Sequence, residues 1–206
     1  MRKAFPIFVL AALCAAPVAA APPSLTLKAA PTVVAYAGAS TLSGVLSTQK
    51  TGQSVDIQAQ ECGQTAFKKI ASATTTTGGA YSYAAKPTTN TNYQAKLKGA
   101  TSPAVAVKVA PVLSLKKLSL GKFSVSVTAA QSFVGKYVVF QRLRNTKWVT
   151  LKKVTLASAK TTTAPTQVTS STFRIKLPAR LRVRSILPAT QAATCYLPAK
   201  SKVIRS

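Results

Sequence analysis

The side chains that most often carry out catalysis are nearly missing from this chain. Of 206 residues none is His, and the only carboxylate side chains are Asp56 and Glu61. General acid–base chemistry relies on His, Asp or Glu with a tuned pKa, and a two-carboxylate glycosidase needs both acids in one cleft. Asp56 falls on the outward side of an alternating segment and Glu61 at its end, so both are expected to pair with nearby lysines. Zinc shells need clustered Cys and His; Cys62 and Cys195 stand far apart, so no metal and no cofactor is expected. Ser114 and Lys117 fit the acylation pattern Ser-x-x-Lys, and Lys50-Thr51-Gly52 fits its partner Lys-Thr-Gly. In acylating enzymes the Ser heads a helix and Lys-Thr-Gly comes later. Here the order is reversed and both fall in strand or turn sequence, so no enzyme activity is expected.

The chemistry that remains is cationic. The chain carries 28 Lys and Arg against 2 acids, a formal net charge of +26. The charge is also one-sided: residues 21–110 hold 8 Lys and both acids, whereas residues 111–206 hold 11 Lys and 7 Arg with no acid. Solubility of a small domain needs a net charge of only about 2–8. A larger field of one sign attracts polyanions and makes their binding strongly salt-dependent.

Residues 1–20 read as a secretory signal peptide, with a basic start at Arg2 and Lys3, an apolar run and small residues at Val18 and Ala20. Cleavage is expected after Ala20. The run is too short to span a bilayer, which takes roughly 20 apolar residues, and no other segment reads as transmembrane. Cys14 is not read as a lipoprotein anchor, because Leu13 stands where a small residue is needed. Leu187-Pro188-Ala189-Thr190 lacks the Gly and hydrophobic tail of a sortase signal. Export permits a disulfide; Cys62 and Cys195 either join or remain as two separate thiols.

Val, Thr, Ser and Ala with interspersed Gly and Pro favour strands over helices. Period-2 alternation marks Val55 and Ile57, then Tyr81, Tyr83 and Ala85, then Tyr93, Ala95 and Leu97, then Val105, Val107 and Val109. A second copy follows Pro111. Residues 135–141 repeat the Gly-x-x-Val-x-apolar-Gln of residues 52–58, and Trp148 to Leu151 answer Phe67 to Ile70. Phe173 to Pro178 answer Tyr81 to Pro87, Leu181 to Arg184 answer Tyr93 to Lys96, and Ser201 answers Ser102. Two domains, 21–110 and 111–206, are therefore expected, stiffly joined at Pro111, which fixes its own φ and restricts Ala110. Trp148 is expected in the core with Phe140 and Phe173. Residues 157–171, rich in Thr, Ser and Ala, are expected to form a long mobile loop.

Gly78-Gly79-Ala80-Tyr81 followed by Pro87, Thr91, Tyr93 and Ala95 resembles the turn and corner of the tandem immunoglobulin-like domains of exported bacterial surface and secreted proteins. The resemblance implies an all-β fold of two tandem immunoglobulin-like antiparallel β-sandwiches following the signal peptide. It implies that Tyr93 is a tyrosine-corner residue whose hydroxyl bonds back to upstream backbone, with Leu181 in its place in the second domain. It also implies binding or structure more than catalysis.

Immunoglobulin order would set Arg180, Arg182 and Arg184 on the outward side of one strand, beside a C-terminal strand with Lys200 and Lys202 and with Arg144 at the rim. Arg174 and Lys176 would flank Ile175 on the opposite sheet, while Arg142 shares the inward parity of Phe140. The expected function is an extracellular, cell-surface or cell-wall module that docks an anionic envelope polymer through this basic face. The alternatives are a spacer or adhesin module, a protein partner, or non-specific binding of extracellular nucleic acid by counterion release.

Overall fold

A computed structural model describes residues 22–192 and 194–206 of the protein. The expected signal peptide over residues 1–20, Cys14 included, lies outside the described residues.

The regular structure of the described residues is almost wholly strand, as the alternation requires. The strands before Pro111 are β1 (Lys28–Ala30), β2 (Val33–Ala35), β3 (Ser40–Val45), β4 (Ser54–Glu61), β5 (Lys68–Thr74), β6 (Ala80–Ala85), β7 (Thr91–Leu97), β8 (Ala100–Thr101) and β9 (Val105–Ala110). After it come β10 (Val112–Ser119), β11 (Lys122–Ala129), β12 (Tyr137–Arg144), β13 (Lys147–Thr155), β14 (Ser158–Thr161), β15 (Gln167–Arg174), β16 (Arg182–Leu187), β17 (Ala199–Lys200) and β18 (Ile204–Arg205).

They pair into four sheets. One has the order β1-β3-β6, and another β2-β9-β7-β4-β5 with β8 on β7. The remaining two run β10-β11-β15-β14 and β13-β12-β16-β17 with β18 also on β16. Read by sequence, the last two are the ABED and C′CFG layers of an immunoglobulin-like sandwich. All pairings are antiparallel except β2 with β9. Among the described residues no strand ladder joins β1–β9 to β10–β18.

Burial follows the pleat. In β4 the inward set is Val55, Ile57 and Ala59, and in β11 it is Phe123, Val125, Val127 and Ala129. Phe123 meets Phe140 of the opposing sheet at 5.2 Å between ring centroids, and Phe140 meets Phe173 edge-on at 5.1 Å. These aromatic contacts join the two layers through buried apolar area, the term that dominates the stability of such a fold.

Two features recur in both halves and tie the repeat to structure. The C–C′ hairpins β4–β5 and β12–β13 carry a register shift at the same point, between Ile57 and Gln58 and between Phe140 and Gln141. Ser102 accepts a hydrogen bond from the amide of Ala95 through its Oγ at 2.9 Å, and Ser201 accepts one from the amide of Ser185, also at 2.9 Å. These contacts correct the alignment of the two F strands. Ala95 corresponds to Ser185, so the partner of Tyr93 in the second half is Val183, not Leu181.

Two further expectations are overturned. Residues 157–171 are no long loop: β14 and the first half of β15 occupy them, joined by a short turn in which Thr162 donates to the carbonyl of Thr166. Threonine-rich sequence is as compatible with a β-strand as with a loop, because its branched Cβ suits the pleat. Trp148 is not in the core. It lies on the outer side of the C′CFG sheet, opposite Leu143.

Cys62 and Cys195 are joined as a disulfide that connects the two halves. Beside it, Asn90 donates its amide to the carbonyl of Cys195 at 2.9 Å and accepts from the amide of Val109 through Oδ1 at 2.8 Å. Leu197 donates to the carbonyl of Val109, and the hydroxyls of Tyr36 and Thr166 lie 2.9 Å apart. The contact between the halves thus rests on several bonds besides the covalent chain at Pro111.

Candidate functional site

Strand β16 alternates Val183, Ser185 and Leu187 inward with Arg182, Arg184 and Ile186 outward. Its partner β12 sets Gln141 directly against Arg184. Arg184 Nε donates to Gln141 Oε1 at 3.0 Å, and the guanidinium carbon stands 3.9 Å from the centre of the Trp148 ring. The same position in the first half is a Gln58–Gln94 pair, bonded at 2.7 Å. An arginine has thus replaced one glutamine of the repeat and is stacked on an indole, an arrangement that suits the planar guanidinium and its quadrupole attraction to the ring. Partial burial pushes the Arg184 pKa down from its ordinary value, but arginine remains charged at any physiological pH. With Nε engaged, its terminal nitrogens are left to meet an anion.

Much of the remaining charge lies at the end of the β10–β18 sandwich away from Pro111. There the register brings basic residues directly opposite one another three times. Lys122 of β11 faces Arg174 of β15, Arg144 of β12 faces Lys147 of β13, and Arg182 of β16 faces Arg205 of β18. Like charges directly opposed on a sheet are destabilising, and no acidic side chain occurs anywhere after Glu61 to relieve them. The β12–β13 turn at this end runs through Asn145 and Thr146, both at positive φ, as a two-residue hairpin of the primed type demands. Arg142 adds a cation on the inward side, where its Nε is buried with no hydrogen-bond partner among the described residues.

The structure sorts seven of the eight basic residues singled out from sequence into three places and sets Arg180 apart from them. Arg144, Arg174 and Arg182 stand in the opposed pairs at the far end, and Lys176 follows β15 there, exposed. Arg184 is mid-face on Trp148. Lys200 and Lys202 line a groove of about 470 Å³ with Ala35, Ala110, Pro111 and Pro198, at the junction of the halves. Arg180 is not on a strand. It occupies a turn at φ 67° before β16 begins, its amide donating to the carbonyl of Ser206. Lys122, Lys147 and Arg205, each the opposed member of a pair, are the residues that sequence reasoning missed.

Tyr93 is buried and its pKa is pushed up to about 12, chiefly by desolvation, with the Thr91 side chain partly offsetting this. Its hydroxyl is placed beside Thr91, and among the described residues it makes no hydrogen bond to upstream backbone of the kind a tyrosine corner requires. The tyrosine whose hydroxyl does donate to a distant backbone carbonyl is Tyr81, on Thr26. Asp56 accepts from Ser72 at 3.0 Å and pairs with Lys69 at 2.6 Å, and these contacts lower its pKa. Asp56 and Glu61 lie five residues apart on one strand, a spacing of about 16 Å at the usual strand rise, well beyond the reach of a glycosidase pair. Among the described residues no three His, Cys, Asp or Glu side chains gather, and no helix is long and apolar enough to cross a membrane.

Neither a protein-family model nor a curated protein matches this chain by sequence. Among solved structures it is similar to bovine butyrophilin, at 12% identity over 87% of this chain and 98% of that one, with a TM-score of 0.33. So loose a likeness carries no argument; the all-β fold rests on the strand order.

Proposed function

We propose that the protein is a non-enzymatic, exported binding module that docks an anionic polymer of the cell envelope through the basic end and the C′CFG face of its second half. The observation that carries this reading is the set of three opposed basic pairs in a half-chain without a single acid. Such pairs weaken the free protein, and a bound polyanion would offset the repulsion. Arg184, held by Gln141 and Trp148, supplies a preorganised contact at the centre of the face.

Titration with poly(glycerol phosphate) tests it. Binding should fall steeply as salt rises, and Arg144→Ala, Arg182→Ala and Arg184→Ala combined should weaken it at least tenfold, about 1.4 kcal/mol. Binding that is absent, or indifferent to both salt and these changes, refutes the proposal. Single-stranded nucleic acid is the second reading, favoured by one observation: Trp148 is partly exposed among cations, and base stacking on aromatic side chains is what such ligands use. Tighter binding of single strands than of the polyol phosphate, lost in Trp148→Ala, would favour it.

A further inference from the structure

The tip of the β10–β11 hairpin has a composition that a soluble polyanion would not use. Leu118 is 51% exposed and Leu120, in the two-residue turn between Ser119 and Lys122, is 74% exposed, the most exposed of the large apolar side chains among the described residues. Around them stand Lys116 and Lys117 on β10, Lys122 opposed by Arg174, and Lys176 beyond β15. The turn is held in place, not loose: the amide of Ile175 donates to the carbonyl of Gly121 at 2.9 Å, and Gly121 takes a positive φ of 68° with Ile175 close behind it. Between this turn and Ile175, Leu177 and Pro178 lies an open groove of about 600 Å³ with an apolar floor and Arg174 and Lys176 at its edge.

We infer that this hairpin tip is a docking site for an anionic lipid bilayer, with Leu118 and Leu120 entering the headgroup and acyl boundary while the surrounding cations engage the lipid phosphates. The pattern matches the two physical requirements of peripheral membrane binding. Apolar side chains enter the boundary by roughly 5–10 Å, and each Lys or Arg near an anionic surface adds to the attraction. A polymer in water satisfies the cations but leaves both leucines solvated, whereas a bilayer satisfies both. The inference goes beyond polymer docking, with which it shares the cations of the basic end, by giving Leu118 and Leu120 a role that a polymer in water does not need.

The experiment is vesicle sedimentation of the disulfide-bonded protein, using phosphatidylcholine alone and phosphatidylcholine mixed with phosphatidylglycerol. The protein should sediment with the mixed vesicles and not with the neutral ones. Leu118→Ser with Leu120→Ser should cut vesicle binding by about tenfold or more while leaving the melting temperature and poly(glycerol phosphate) binding unchanged. A Leu120→Cys protein carrying an environment-sensitive fluorophore should brighten on the mixed vesicles, which reports insertion directly. Vesicle binding that survives the double substitution, a label that does not respond, or an absence of binding to anionic vesicles overturns the inference. A parallel loss of polymer binding in the double variant overturns it too, since the leucines would then act through the protein's general integrity. Vesicle insertion by a parent protein that binds no polymer refutes the polymer reading alone.

Discussion

Reversing the charge of one member of each opposed pair, as Arg174→Glu, Lys147→Glu and Arg205→Glu, should stabilise the protein and weaken polyanion binding at once. Each target faces a single basic partner, Lys122, Arg144 or Arg182. Two unit charges about 6 Å apart in a water-like medium repel by roughly 0.7 kcal/mol. Turning repulsion into attraction doubles the change, and physiological salt, with a Debye length of about 8 Å, halves it again. The result is roughly 0.7 kcal/mol per pair, within the 0.2–1 kcal/mol typical of cross-strand pairs. Three pairs come to about 2 kcal/mol, or a rise of about 4–8 °C in Tm for a chain of this size. Differential scanning fluorimetry at low and physiological salt measures this, with the larger rise expected at low salt. The same triple variant should bind poly(glycerol phosphate) more weakly and with a shallower salt dependence. A folded variant whose Tm is unchanged or lower would refute the view that these pairs strain the free protein. A more stable variant that binds as tightly as the parent would remove any link between that strain and binding.

Two further outcomes are expected. The Cys62–Cys195 bond closes a loop with a sequence separation of 133, so its reduction, or Cys62→Ser with Cys195→Ser, should cost about 3–5 kcal/mol on the chain-entropy account, measured by urea unfolding with and without reductant. Tyr81 and Tyr93 have pKa values raised to about 12 by burial, against an ordinary value of 10.0. The folded state holds their protons more tightly than the unfolded one, so this contribution to stability is full below pH 10 and disappears as pH climbs from about 10 towards 12. Alkaline titration should show Tyr81 and Tyr93 ionising late, together with Tyr196, which burial also shifts upward, and unfolding over the same interval; ordinary ionisation of all six tyrosines would contradict it.

The parts legible in sequence were those set by local pattern. Alternation located β4, β6, β7 and β16. Trp148 was misread because the register shift in the β12–β13 hairpin reverses the pleat. Val154 faces the core, yet Trp148, an even number of residues earlier, faces out. A bulge of this kind inserts one residue and exchanges the two faces beyond it, and nothing in residues 147–155 marks where it falls. Arg180 was misplaced for a related reason: counting by twos from Arg182 assumes the strand has already begun, whereas residue 180 is in a turn.

Composition and alternation alone determined that the protein is all-β, that its later half is a cationic body without acids, and that the usual catalytic residues are almost absent. Those properties are carried by residue type and by neighbours two apart, and both can be read along the chain. Which cations meet was decided only by tertiary structure. Lys122 faces Arg174, and Arg182 faces Arg205, because β11, β15, β16 and β18 pair in one register out of many. That register is set by the fit of buried side chains such as Phe123, Phe140 and Phe173 between the sheets. The placement of charge on the outer faces is a consequence of how the core packs.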